Sequence, residues 1–231
     1  TKEKFCQLTK KSMIKQGMNL LVIPEQGMGD TIQFLRYFRG LQSMGATVQF
    51  ACPRELRQLI QLSEWESTVT SVGDSDGNYT EFDMALSLLS IPGLFIETPE
   101  DIIPTAPYLR ADTSSVLYFQ TQMVPGLLNC GFAWKGNKSH KNDHRRSMKL
   151  EEMLPLFHVE GVMFHSLQQE IDRNASEIFK MFNNIQPFPT GIKDIAETAA
   201  LIMNLDLVVT VDTMIAHLAG ALGKKIFLLL P

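Results

Sequence analysis

NLLVIPEQGMGDTIQFLRYFRGLQSMGATVQFA, residues 19–51, decides the fold. Asn19 to Pro24 is a short apolar run with the length of a buried strand. Glu25 to Asp30 (EQGMGD) is a glycine loop. Thr31 to Met44 then carries Ile32, Leu35, Phe38 and Leu41 at close to helical spacing, and Gly45 is a helix stop. Thr47 to Ala51 is the next strand, ended by Pro53. Strand, loop, helix and strand in that order predict a βαβ unit, and hence a parallel sheet with helices on its faces.

The alternation continues outward from this unit. Glu55 to Ser63 reads as a short helix, Thr68 to Val72 as a third strand and Gly73 to Thr80 as a turn-rich loop. Met84 to Ile91 is either a fourth strand or a buried turn. Pro92 to Pro107, with four prolines, is expected to be irregular. A boundary is expected between Asp112 and Asn129, with one lobe at 1–124 and another at 125–231. The second half repeats the pattern, with strands at Cys130–Trp134, Val162–Leu167, Ile185–Phe188, Leu207–Val211 and Ile226–Leu230. Helices are expected at Leu150–Phe157, through Phe182, at Asp194–Asn204 and at Met214–Leu222. Two successive α/β halves predict two Rossmann-like lobes with a cleft between them. No helix follows the last strand, so the second lobe is expected to be truncated at its C-terminus. The chain does not open on Met, and it is expected to be a trimmed product or a piece of something larger.

Composition narrows the function. The chain has 231 residues, 45% hydrophobic and 20% charged, enough to bury a core. The 21 Lys and Arg against 25 Asp and Glu leave a net charge of −4, so nothing global attracts phosphate, which argues against a general nucleic-acid or anionic-membrane binder and leaves room for local basic patches. Three cysteines, Cys6, Cys52 and Cys130, are far apart and form no CxxC. A disulfide framework or zinc site is not expected, and a reducing, cytoplasmic compartment is. No apolar run reaches the length of a transmembrane segment.

Three loops could carry chemistry, each at the carboxyl end of a strand, where open α/β sheets bind ligands. In the first, Gly27 and Gly29 permit tight backbone geometry and close approach of a ligand. Asp30 is expected as N-cap of the helix that follows, and the bland alternative is that it does nothing else. The loop is neither GxGxxG nor a P-loop. The second, Lys135 to Lys149 (KGNKSHKNDHRRSMK), holds six Lys or Arg, one Asp, His140 and His144. Such charge suits a diphosphate, and the alternative is a solvated surface loop. The histidines lack an acidic third ligand at metal spacing. The third is LVVTVDTMIAHLAGAL, residues 207–222, in which a strand runs through Asp212 and Thr213 into a helix. The free N–H groups of its first turn form an anion site, and His217 lies one turn in on the face of Thr213. The alternative is a capped helix with a core histidine. Ser166 and Gln168 end another strand and are expected to line the same cleft, unless they are ordinary strand-end polar groups. A carboxylate from one lobe and cations from the other suit group transfer from a nucleotide sugar to an acceptor hydroxyl.

Four segments carry a resemblance: EQGMGDTIQFLRY (25–37), FAWKGNKSHKNDHRRSM (132–148), HSLQ (165–168) and VVTVDTMIAHLAGALGKKIFLLLP (208–231). Together they resemble the glycosyltransferase domains that follow tetratricopeptide repeats in many bacterial proteins. Those domains are similar to the ADP-heptose–lipopolysaccharide heptosyltransferases of glycosyltransferase family 9. The resemblance implies a GT-B fold and inverting, metal-independent transfer of a heptose or other hexose-like sugar, with no cofactor beyond an ADP- or UDP-linked donor. It implies Asp30 as the base and Arg146, with Lys135 and Arg145, at the leaving diphosphate. Asp212, Thr213 and His217 match the junction that holds the donor. It further implies a glycan, lipopolysaccharide or protein acceptor, repeats preceding the domain in the parent protein, and an aromatic segment beyond LLLP. His144 stands where related sequences carry a second basic residue. The competing expectations are a non-catalytic nucleotide- or sugar-binding module of a larger repeat protein and a nucleotide-sugar epimerase.

Overall fold

Leu20, Leu21 and Val22 are almost fully enclosed, as a run buried on both faces of a sheet must be. They form the centre of strand β1 (Asn19–Ile23). The structure, a computed structural model, describes residues 13–63, 69–71, 81–102, 106–137 and 141–230. The expected loop Gly73–Thr80, Cys6 and His140 lie outside the described residues.

β1 is flanked by β2 (Thr47–Phe50) and β4 (Met84–Ser87), with β3 (Val69–Ser71) beyond β2. All pairings are parallel, in the order β3-β2-β1-β4. Ile32, Leu35, Phe38 and Leu41 are all buried, so the helical spacing read from the sequence is the core-facing stripe. The helix is not one piece. It starts at Met28, before the expected Thr31, as α1 (Met28–Phe34), tightens to a 3-10 turn at Leu35–Tyr37 and resumes as α2 (Phe38–Ser43). Phe34 and Tyr37 stack at 6.1 Å, and side chains three apart eclipse in a 3-10 turn. Gly45 ends α2 at φ +79°, with the Ala46 and Gly45 N–H groups donating to Leu41 and Gln42. α3 (Arg57–Gln61) follows β2. Residues 84–91 are both alternatives at once, β4 and then a 3-10 turn at Leu88–Ser90.

The chain divides into two units, Thr1–Arg110 and Ala111–Pro231. The division falls before the expected 124/125 boundary. The cause is a helix that hydrophobic periodicity does not reveal, α4 (Thr113–Gln120), which Asp112 caps and which packs in the second unit on α7 (Ile195–Met203). Of its apolar residues Phe119 is buried, whereas Leu117 and Tyr118 are exposed, so no inward stripe exists to read.

The second unit holds β5 (Leu128–Ala133), β6 (Val162–Ser166), β7 (Ile185–Gln186), β8 (Leu207–Val211) and β9 (Ile226–Leu229), all parallel, in the order β7-β6-β5-β8-β9. α5 (Leu154–Phe157) and α6 (Arg173–Met181) close one face of the sheet on Phe132, Trp134 and Phe164. α7 packs on both α4 and α8 (Met214–Ala221). Among the described residues no helix is long and apolar enough to cross a membrane.

Candidate functional site

In each sheet the strand order reverses at one strand, β1 in the first unit and β5 in the second. The loops that leave such a switch point cannot pack on each other in a continuous layer, so a crevice opens at the strands' carboxyl ends. The three loops singled out from sequence follow β1, β5 and β8, and all therefore border a switch point.

In the first unit the glycine loop leads directly into α1. Gly27, not Asp30, is the N-cap, and the Thr31 N–H bonds to the Gly27 carbonyl at 3.0 Å. The expected capping role of Asp30 is therefore corrected: Asp30 lies in the first turn, with its carboxylate released from that duty. It is half-buried and makes no side-chain hydrogen bond or ion pair among the described residues. Neither Gly27 nor Gly29 has positive φ, so neither supplies the tight turn expected of it. A Cβ at Gly27 would meet only the Asp30 Oδ2, at 4.0 Å. What glycine provides at that position is open space over the carboxylate. The Glu25 carboxylate accepts the Leu89 N–H at 3.4 Å, tying the loops after β1 and β4 together.

In the second unit the basic loop is folded upon itself. The Met148 N–H donates to the Trp134 carbonyl at 2.9 Å, closing its base. Gly136 N–H donates to Ser147 Oγ at 2.8 Å, and that hydroxyl donates to Asp143 Oδ1 at 2.8 Å. Arg146 Nε lies 3.5 Å from the same carboxylate oxygen. Arg145 is exposed and forms no side-chain bond among the described residues. Lys135 Nζ pairs with Asp172 Oδ2 at 2.7 Å, and Asp172 also caps α6 through the Ala175 N–H. An ammonium has three donors, so this pairing leaves capacity for a ligand.

Of the two strand-end residues Ser166 and Gln168, the second is half-buried. Ser166 is fully enclosed, so it cannot line a surface. It accepts the Gln168 N–H at 3.2 Å, and Gln168 Oε1 accepts the Lys135 N–H at 3.3 Å. The pair thus fixes where the basic loop begins. Thr213 caps α8 through the Ile215 N–H at 3.3 Å and is itself buried. Asp212 is exposed beside it, with Oδ1 3.8 Å from His217 Nε2. Asp212 and His217 thus approach each other beside the start of α8 that Thr213 caps.

Other chemistry-bearing residues are internal. Burial pushes the Cys52 and Cys130 thiols up to about 12, so both behave as small apolar groups. Among the described residues no three His, Cys, Asp or Glu side chains converge as a metal site would require. Sequence reasoning missed the partners Asp143, Ser147 and Asp172. It also missed a pocket of about 410 Å³ between α4 and the segment entering α7, lined by Tyr118, Phe119, Ile192, Lys193 and Glu197. Asp143 was visible as the lone acid in a basic run, but its contacts were not.

Residues 164–229 match the family model described as glycosyltransferase family 9 (heptosyltransferase). The chain is 24% identical over 236 residues to Protein FlbA of Caulobacter vibrioides, covering 93% of this chain and 39% of that protein. It thus spans about two fifths of the length of that curated relative. Among solved structures it is similar to the E. coli ADP-heptose lipopolysaccharide heptosyltransferase II, with TM-score 0.64 and 16% identity over 92% of this chain and 85% of that one. A family 9 glycosyl transferase from Veillonella parvula gives TM-score 0.66 and 11% identity over 94% and 81%. The E. coli heptosyltransferase WaaC, solved with ADP, gives 0.59 and 13% over 91% and 86%. The chain therefore has the α/β, GT-B fold of the heptosyltransferases.

Proposed function

We propose that this chain is a glycosyltransferase domain that moves a heptose or similar sugar from a nucleoside diphosphate to an acceptor hydroxyl. The observation that carries this is the placement of an unpaired carboxylate, Asp30, at the switch point of one sheet, and of a folded cationic loop and a capped helix start at that of the other. The family match over 164–229 and the heptosyltransferase fold support it.

Asp30 accepts the proton of the acceptor hydroxyl as its oxygen attacks the anomeric carbon. The bond from that carbon to the diphosphate breaks on the opposite side, giving inversion. Charge then develops on the departing diphosphate, where Arg146, Lys135 and Arg145 and the first N–H groups of α8 stabilise it. These groups do the work without a metal. Asp212 and His217 border the same helix start and hold the donor. Ser166 and Gln168 act by anchoring the loop. The donor is ADP- or UDP-linked, and the acceptor is a glycan, lipopolysaccharide or protein.

Asp30→Ala is expected to lower transfer by about 10²–10⁴ while leaving ADP binding intact. Transfer measured with radiolabelled ADP-heptose, beside calorimetric ADP titration, checks this, and unchanged transfer removes Asp30 as the base. A second reading, a non-catalytic nucleotide-sugar-binding module, is favoured by the confinement of the family match to residues 164–229. Donor binding without transfer or hydrolysis in the intact parent protein would select it.

A further inference from the structure

Asp143 is the only carboxylate between Lys135 and Lys149. On charge alone it is misplaced, because an acid in an anion-binding loop repels the ligand its neighbours attract. Among the described residues its hydrogen bonds and ion pair lie within the loop. Its carboxylate accepts the Ser147 hydroxyl at 2.8 Å, and its main-chain carbonyl accepts the Arg146 and Ser147 N–H groups at 3.1 and 2.8 Å. The Ser147 hydroxyl in turn accepts the Gly136 N–H.

Gly136 is the floor of this arrangement. A Cβ there would lie 2.7 Å from Asp143 Oδ1, 3.0 Å from Arg146 Nε and 3.1 Å from Arg146 Nη2. A methyl group there would displace the carboxylate or the guanidinium from the main chain. Arg146 Nε is enclosed without a hydrogen-bond partner, and the charge that faces it is Asp143 Oδ1 at 3.5 Å. The Arg146 side chain as a whole keeps 22% exposure. The Nε edge of the fork thus lies against the loop, facing the Asp143 carboxylate.

We propose that Asp143 is a positioning residue that, with Ser147 and Gly136, presents the Arg146 guanidinium to a nucleoside diphosphate. This rests on the role proposed above for Arg146. The preorganised fork then binds phosphate without first losing its own rotational freedom.

The test is calorimetric titration of the intact chain with ADP, with thermal unfolding to establish that each variant is folded. Arg146→Ala weakens ADP binding. Asp143→Ala weakens it about tenfold, the scale of one charge-assisted hydrogen bond. A bystander acid would do the reverse, since its removal takes a like charge from the ligand. Asp143→Asn keeps the oxygen that accepts the Ser147 hydroxyl but loses the charge that faces Arg146, so it binds ADP more tightly than Asp143→Ala does. Gly136→Ala drives a methyl group into the guanidinium and weakens ADP as Asp143→Ala does. On an Arg146→Ala background neither change weakens binding further.

Unchanged or tighter binding by folded Asp143→Ala overturns the proposal. An Asn variant as weak as the Ala variant, or undiminished effects on the Arg146→Ala background, also overturns it. If Asp143→Ala does not fold, Gly136→Ala and Asp143→Asn decide by the same criteria. Should Arg146→Ala bind ADP normally, the diphosphate role of Arg146 fails and the positioning role with it. If Arg146→Ala weakens ADP and Asp143→Ala does not, only the positioning role fails.

Discussion

His165 lies within β6 at 5% exposure, its Nε2 2.9 Å from Asn129 Oδ1. The Asn129 amide is oriented by its other bonds: Oδ1 accepts the Val124 N–H, and Nδ2 donates to the Val124 and Leu127 carbonyls. His165 Nε2 must therefore carry the proton, and the ring is neutral. Burial pushes this imidazole down to about 4, from an ordinary 6.5. As pH falls through that window, the unfolded chain takes up a proton that the folded chain excludes. The stabilisation is complete above pH 6.5 and declines toward pH 4, by at most about 3 kcal/mol. Urea unfolding at pH 7.5 and pH 5 checks this. His165→Gln is expected to be less stable at pH 7.5 and to lose less on acidification than the parent chain. Nothing in HSLQ distinguishes this buried base from a ligand, because its environment comes from β5.

Helix ends separate two kinds of residue. Thr213 and Asp194 were expected at the starts of α8 and α7, and both side chains accept an N–H from the first turn. Thr213→Ala should cost about 1 kcal/mol, read as a lower melting temperature, with Thr213→Ser close to the parent. Asp30 looked like a cap by the same rule and is not one, because Gly27 already satisfies the geometry and the helix begins a turn earlier. A residue's preference for a cap is local, but which of two adjacent candidates takes it depends on where the sheet sets the strand end. At the far end of α7, Lys224 Nζ donates to the Met203 and Leu205 carbonyls at 2.6 and 3.0 Å. Burial lowers its pKa against the opposing pull of Asp206. Lys224→Met leaves those carbonyls without that donor and should cost about 1–3 kcal/mol, measurable by urea unfolding. In sequence a surface lysine and a capping lysine such as Lys224 read alike.

Across the molecule, a ligand that binds only the folded chain raises its stability with the logarithm of its free concentration above the dissociation constant. ADP at a hundredfold excess over its dissociation constant should add about 2.7 kcal/mol, seen as a rise in melting temperature. Arg146→Ala should lose most of that rise at the same ADP concentration. Absence of any rise in the parent chain would count against a nucleotide site.

The alternation of apolar runs with helical spacing was enough to specify two parallel sheets and to put three polar loops at their strand ends. Burial on both faces of a strand and on one face of a helix leaves a signature within a few consecutive residues. The working condition of those loops left none. Lys135 meets Asp172 across 37 residues of chain, and Gly136 meets Ser147 across 11. Such bonds depend on how the chain returns to itself, so the pairing of Lys135, the freeing of Asp30 and the anchoring of Arg146 emerged only when the strands were placed side by side.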